Sequence, residues 1–384
     1  MSESLHPIYL DYNATTPIHP EVAAVMRPFL DDYFGNPSSS HDYGVAARSA
    51  VDKARQQVAQ MLGCSADEIV FTSGGTESDN YALKGLAHAN RDKGNHIITS
   101  VIEHPAILNV CRYLETQGFA VTYVPVDCYG MVHPEDVERS IRDDTILISI
   151  MHANNEVGTI QPISEISALA HSRQIVMHTD AAQSIGKVPC KVNDLGVDML
   201  TIAGHKLYGP KGVGALYIRE GIKLEPLLHG AGHEQGRRAS TENVMEVAGL
   251  GKACELIEQA GPAKLERLGR LRDSLYKQLM AKIPDLRLNG HPDVRLPNTL
   301  SISFAGINAT ELMTALHDKV AVSAGAACHA SSVTISYVLE AMQVPREWAM
   351  GTIRFSVGSP TTEAEVDTAA DLIATAVTGL RSEN

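Results

Sequence analysis

At 384 residues the chain is too long for one small core and has room for a large and a smaller domain. Its 44% hydrophobic and 20% charged residues are those of a folded globular protein and exclude the disordered and fibrous classes. A formal net charge of -13 with no long Lys/Arg run argues against partners held through a basic face, so neither nucleic acid nor an anionic membrane surface is expected.

The opening MSESLHPIYLDYNATT has no basic segment followed by an apolar one, and no uninterrupted apolar run approaches a membrane span. A cytoplasmic protein is expected. From residue 69 short β-branched runs alternate with helical stretches: IVFTSG, HIITS, VTYVPV, TILISIMH, IVMHTDAAQ, MLTIAGHK and GALYIRE. Near-continuous apolar character in such runs predicts strands covered on both faces, hence one seven-stranded, largely parallel α/β sheet with helices such as Val51 to Leu62 and Ile163 to His171 packed on it. After Leu228 this pattern breaks at the Gly-rich HGAGHEQGRRASTE. A helix is predicted from Val244 to about Ile283, and Thr299 to Phe304 and Thr352 to Val357 alternate like strands of an open sandwich.

Ligands of open parallel sheets sit outside the carboxyl ends of the strands, so the side chains there are the candidates for chemistry. Ser73-Gly74-Gly75-Thr76 is a small-residue turn from a strand into a helix, suited to a phosphate but lacking the lysine of a nucleotide P-loop. Asp180 ends the strand of IVMHTDAAQS with Gln183 three residues on, where a buried carboxylate needs a cation or strong donor. Lys206, in GHK after MLTIA, is either a solvated turn residue or an amine whose pKa desolvation lowers toward the nucleophilic form; Lys211 nearby reads as an ordinary turn residue. A phosphate-suited turn, an anion and a lysine in this order are explained together by pyridoxal 5′-phosphate, which needs a helix start, a partner for its ring nitrogen and an amine for its aldehyde. His104, in VIEHPAI, is placed to stack on the ring or to move protons. No metal is expected: His229 and His233 are set among glycines that deny them a shared helical face.

The cysteines at positions 64, 111, 128, 190, 254 and 328 show no metal-ligand spacing and no disulfide framework, so reduced thiols are expected. Cys328 stands apart, in VSAGAACHASSVTISYVL, where Ala, Gly and Ser surround it.

The motifs IYLDYNATTP, FGNPSSSHDYG, FTSGGTESDN, MHANNEVG, HTDAAQSIGK, GHKLYGPKGVGALY, TEN and TIRFSVG together resemble the pyridoxal-phosphate-dependent cysteine desulfurase and selenocysteine lyase family, in the family's order through nearly the whole chain. The resemblance implies the aspartate aminotransferase-like fold of the class-V enzymes: a large domain over 15–257, a small α+β domain from 1–14 and 258–384 that carries the cysteine loop, and a homodimer. Motif by motif, Lys206 would be the Schiff-base lysine and His104 would stack on the cofactor. Asp180 would pair with the ring nitrogen, and Asn155 and Gln183 would meet the ring substituents. Gly75, Thr76, Ala203 and His205 would surround the phosphate, with Thr241 reaching it from the neighbouring subunit. Arg354 would take the substrate carboxylate, and Asn13 and Asn155 would join it at the substrate. Two departures stand out: Ala203 replaces the usual serine before Gly-His-Lys, leaving Thr201, a water or tighter backbone contacts to compensate, and GAACH replaces the Ser-Ala-Cys of housekeeping desulfurases. Both departures lean toward the selenocysteine lyases.

The activity this implies is conversion of L-cysteine to L-alanine, with Lys206 moving the Cα proton and Cys328 taking the sulfur as a persulfide for an acceptor protein or small thiol. A cysteine with a pKa of about 8.5 is mostly protonated at neutral pH and needs a proton acceptor. His329 is not made that acceptor by adjacency, and His104 is the other candidate. The closest rival is selenocysteine lyase, since selenium leaves without an attacking cysteine; a more distant one is an aminotransferase or epimerase in which Cys328 is inert.

Overall fold

The computed structural model describes residues 6–324 and 335–383. In chain order its strands are β1 (Ile8–Tyr9), β2 (Ile69–Thr72), β3 (His96–Ser100), β4 (Ala120–Val124), β5 (Thr145–Ser149), β6 (Val176–Asp180), β7 (Met199–Ala203), β8 (Gly214–Ile218), β9 (Leu286–Asn289), β10 (Thr299–Phe304), β11 (Val320–Ala321) and β12 (Thr352–Ser356). All seven apolar runs lie in one sheet, ordered β2-β8-β7-β6-β5-β3-β4. Neighbours from β7 through β4 run parallel, and β8 alone is inserted antiparallel between β7 and β2. Apolar runs without alternation become strands here because helices cover both faces: one core gathers Val51, Val58, Ile166 and Leu250, the other Leu83, Ile107 and Leu114.

The remaining strands form a three-stranded antiparallel sheet, β12-β10-β9, and a separate parallel pair, β1-β11. The alternation read from the sequence holds, with Leu300, Ile302 and Phe304 in the apolar cluster, and the difference from an open sheet is that the polar face is buried too. Every residue of β10 and β12 is buried, because one face of this single sheet packs on apolar helix residues such as Leu275 and Ile373 while the other pairs its own polar groups. There Ser303 and Thr352 hydroxyls bond at 2.7 Å, and Asn289 donates to Ser303 at 2.8 Å. The helix predicted from Val244 runs to Lys282, broken where Gly261 takes φ +64° before Pro262. That break separates the part of the helix in the core of the large sheet, around Leu250 and Cys254, from the part packed on the small sheet, Leu268 to Leu279.

Candidate active site

A cavity opens at the carboxyl ends of the parallel strands, where the sheet topology collects loop residues that are far apart in sequence. It is reached by Gly75 and Thr76 after β2, His104 after β3, Asn155 after β5, Asp180 and Gln183 at the end of β6, and Ala203, His205 and Lys206 at the end of β7. Arg354 of β12 and Asn13 line it from the opposite side. Of the expected site residues in the described chain, only Thr241 is elsewhere, exposed on the surface. Cys328 and His329 lie outside the described residues.

Lys206 is a turn residue only in the formal sense. Its Nζ donates to the main-chain oxygens of Asn13 at 2.6 Å and Ala14 at 2.9 Å. Burial, and then the Arg354 guanidinium, bring its pKa down to about 8 against the opposing pull of Asp180 and Asp11, so the neutral amine is accessible near physiological pH. Lys211, five residues on, is exposed.

Asp180 is 7% exposed and accepts the Ala182 N–H at 2.9 Å. Burial raises its pKa, partly offset by that hydrogen bond, His104 and Lys206; a protonated ring nitrogen would supply the counter-charge this carboxylate wants. Behind it lie two carboxyls that the sequence reading did not assign. Asp79, on the helix Gly75–Asn80, is fully enclosed, and burial plus the Asp180 charge raise its pKa well above the carboxylate range. Glu103, held by Ser100 Oγ at 2.5 Å and Met151 N–H at 3.0 Å, is pushed by burial up to about 8.

His104 caps the helix Pro105–Thr116, its Nδ1 accepting the Ala106 N–H at 3.2 Å. Desolvation, with the Lys206 charge adding to it and Asp180 opposing, lowers its pKa and favours the neutral imidazole. His205 Nδ1 lies 3.2 Å from Thr15 Oγ1, and burial, then the Lys206 charge, lowers its pKa to about 4. A phosphate contact by His205 is therefore that of a neutral N–H donor. The first N–H groups of the helix beginning at Gly75 have no intrahelical acceptor and complete such a cradle. Thr201 Oγ1 lies 3.1 Å from His178 Nε2, and a Cβ at Gly75 would lie 3.3 Å from the Ala203 methyl, so the turn packs closely on the end of β7.

Arg354 donates through Nη1 to the Asn155 main-chain oxygen at 2.9 Å and through Nη2 to Asp11 Oδ1 at 2.8 Å. Its Nε is buried without a partner, and so is Oδ1 of Asn155. Orphaned polar atoms at a cavity wall cost stability unless a ligand meets them. The donor set therefore fits pyridoxal phosphate: an amine for the aldehyde, an anion for the ring nitrogen, an unmet amide oxygen for a ring hydroxyl, and a helix start for the phosphate.

This fold and site define the class-V aminotransferases, and the family described as Aminotransferase class-V matches residues 8–368, so the chain belongs to it. The cysteine desulfurase IscS of Dictyoglomus turgidum is 49% identical over 376 residues, 98% of this chain and 95% of that protein. Among solved structures, a NifS-like protein superposes with a TM-score of 0.92 at 39% identity, covering 97% of this chain and 100% of the other. A structure of SspA in complex with cysteine gives 0.81 at 38% identity, over 91% and 98%. Within its class the chain is a member of the pyridoxal-phosphate-dependent cysteine desulfurase family.

Proposed function

We propose that the protein converts L-cysteine to L-alanine and carries the sulfur away as a persulfide on Cys328. The observation that carries this reading is the Lys206 amine, brought to about pH 8 by burial and Arg354, in a cavity that Asp180, Asn155 and Arg354 also line. Bound pyridoxal phosphate supplies an electron sink for the pair left on Cα. Gly75, Thr76 and His205 would hold its phosphate, Asp180 its ring nitrogen, and Asn155 and Gln183 its ring substituents. Arg354 takes the substrate carboxylate in a charge-assisted bond, beside Asn13 and Asn155. Lys206 Nζ takes the Cα proton and returns a proton to the carbon skeleton.

The Cys328 thiolate attacks the substrate sulfur; an S–S bond forms, the C–S bond breaks, and its electron pair stays with the skeleton, which is protonated to alanine. His104, neutral at the cavity rim, accepts the thiol proton. Both described flanks of residues 325–334 adjoin the cavity: Ser323 pairs with the Arg354 backbone, and the Tyr337 hydroxyl donates to the Glu103 carbonyl at 2.6 Å. Four residues from Ala324 a chain reaches at most about 14 Å, which supports delivery of Cys328 to the substrate.

A sulfur-acceptor protein or small thiol removes the persulfide sulfur, and the cytoplasm, whose reducing poise keeps thiols free, suits this chemistry. The enzyme acts as a homodimer in which Thr241 completes the partner's phosphate site. A division into 15–257 and 1–14 with 258–384 is supported by separate apolar clusters, one around the large sheet and one joining Leu10 to Leu268, Leu300 and Val377.

The test is steady-state alanine release from cysteine and from selenocysteine, with and without reductant. Wild type is expected to release alanine from cysteine, while Cys328→Ala retains cofactor absorption and loses sulfide release. Full activity in Cys328→Ala overturns the persulfide route. Turnover confined to selenocysteine assigns the enzyme to the lyases instead.

A further inference from the structure

Among the cations around the cavity, Lys187 has no role in the chemistry above. It lies seven residues beyond Asp180, the end of β6, and four after Gln183, and is 9% exposed. Its Nζ donates to Gln183 Oε1 at 3.0 Å. The other end of the same amide, Nε2, donates to the main-chain oxygen of Asn13 at 2.8 Å. That oxygen is also the acceptor of Lys206 Nζ at 2.6 Å. A chain of donors thus runs from Lys187 through Gln183 to the carbonyl that holds the reactive amine.

The direction of this chain is forced. A main-chain carbonyl only accepts, so the Gln183 atom facing Asn13 is the NH2 group and the atom facing Lys187 is the carbonyl oxygen. Turned over, the amide would set its oxygen against the Asn13 oxygen and its NH2 against the Lys187 amine, losing both bonds. We infer that Lys187 is a positioning residue: it fixes the Gln183 amide so that hydrogen-bond donors, not an acceptor, are presented at the cavity beside Lys206.

A lysine is a costly residue for a merely structural tie at this place. Burial, then the like charges of Lys206 and Arg354, brings its pKa down to about 7. A buried amide oxygen could be satisfied by a hydroxyl or a main-chain N–H without that penalty. Charged or neutral, the amine keeps an N–H for the Gln183 oxygen, and in its charged form it has no acceptor for a turned amide. The oxygen of a ring hydroxyl or of a substrate group meeting Gln183 then finds an N–H.

The inference rests on the proposed cofactor site, and the experiment separates the two. Apo wild type, Lys187→Met, Gln183→Met and the double variant are titrated with pyridoxal phosphate, and the absorption maximum of the bound cofactor and the apo melting temperature are recorded. Expected are an affinity loss of about ten-fold in Lys187→Met, from one lost charge-assisted bond, a band shift of the same sign as in Gln183→Met, and no further change in the double variant. Wild-type affinity and absorption in Lys187→Met, or losses that add in the double variant, overturn the positioning role even when the melting temperature falls. Failure of wild type to bind the cofactor would instead overturn the site itself. Should Lys187→Met not fold, Lys187→Gln, a shorter neutral residue, is judged by the same criteria.

Discussion

The active-site residues differ in how far their environment has altered them, and Lys206 shows it most directly. With a pKa lowered to about 8, the fraction of neutral amine stops growing just above that pH, whereas an ordinary lysine near 10.4 gains about ten-fold per pH unit over the same range. Uptake of pyridoxal phosphate by the apo protein, followed by absorbance, is therefore expected to accelerate up to about pH 8 and then level off. Continued acceleration to pH 10 would show an unperturbed amine. Asp11 acts on both ends of this chemistry, since it holds Arg354 and its charge pulls the Lys206 pKa upward. Asp11→Asn should raise KM for cysteine by about ten-fold with little change in kcat, as for loss of a charge-assisted contact that orients the carboxylate site. The same variant should begin its uptake plateau at lower pH, because a proton is lost more readily once the anion is gone. Lys206, Asp180 and Arg354 were legible because each is a chemically capable group at a strand end or within a motif. Asp11, Asp79 and Lys187 were not singled out because their meaning lies in partners such as Arg354, Asp180 and Gln183 that only the fold brings near.

At the scale of elements, the large sheet was readable because buried parallel strands leave an unmistakable apolar run, and the reading of seven runs matches seven strands. The short strands were not: β1 and β11 span two residues each, too few for any period, and β9, LRLN, mixes an arginine and an asparagine into its four. Nor did the sequence show that β8 is the strand inserted antiparallel, a detail with a consequence for the phosphate turn. Its first residue, Gly214, passes so close that a Cβ there would sit 2.5 Å from the Ile202 oxygen and 2.7 Å from the Gly74 carbonyl carbon. Gly214→Ala must push β7 and the Ser73–Thr76 turn apart. It is expected to cost about 1–3 kcal/mol, as overpacking does, and to weaken cofactor affinity as well as lower the melting temperature. A drop in melting temperature with unchanged affinity would mean that the turn does not bear on the phosphate.

For the whole molecule, the surface carries its own argument for a second copy. Leu30 is 67% exposed and Phe34 75%, with Tyr33, Tyr43 and Val45 exposed beside them; the rings of Phe34 and Tyr43 stand 5.2 Å apart. Scattered exposed apolar residues are ordinary, but aromatic ones gathered in one stretch of chain mark an interaction surface. This stretch adjoins the segment that carries Thr241, since Pro37, Ser38 and Arg48 line one surface pocket with residues 231–235 and Glu242. If a second copy covers these apolar residues, as the proposed homodimer requires, it would lie next to Thr241, and association and completion of the phosphate site would be one event. Wild type is expected to sediment at twice the chain mass of 41.3 kDa and Phe34→Glu at the chain mass, with a loss of cofactor affinity matching that expected of Thr241→Ala. Complementation decides whether Thr241 works across the interface. Lys206→Ala subunits lack the reactive amine and Thr241→Ala subunits lack the donor, yet a mixed dimer joins the intact Lys206 of one to the intact Thr241 of the other at one of its two sites. Mixing the two variants under exchanging conditions is expected to restore tight cofactor binding and alanine release at that site. No recovery, with mixed dimers demonstrated, would overturn the assignment of Thr241 to the partner's phosphate site.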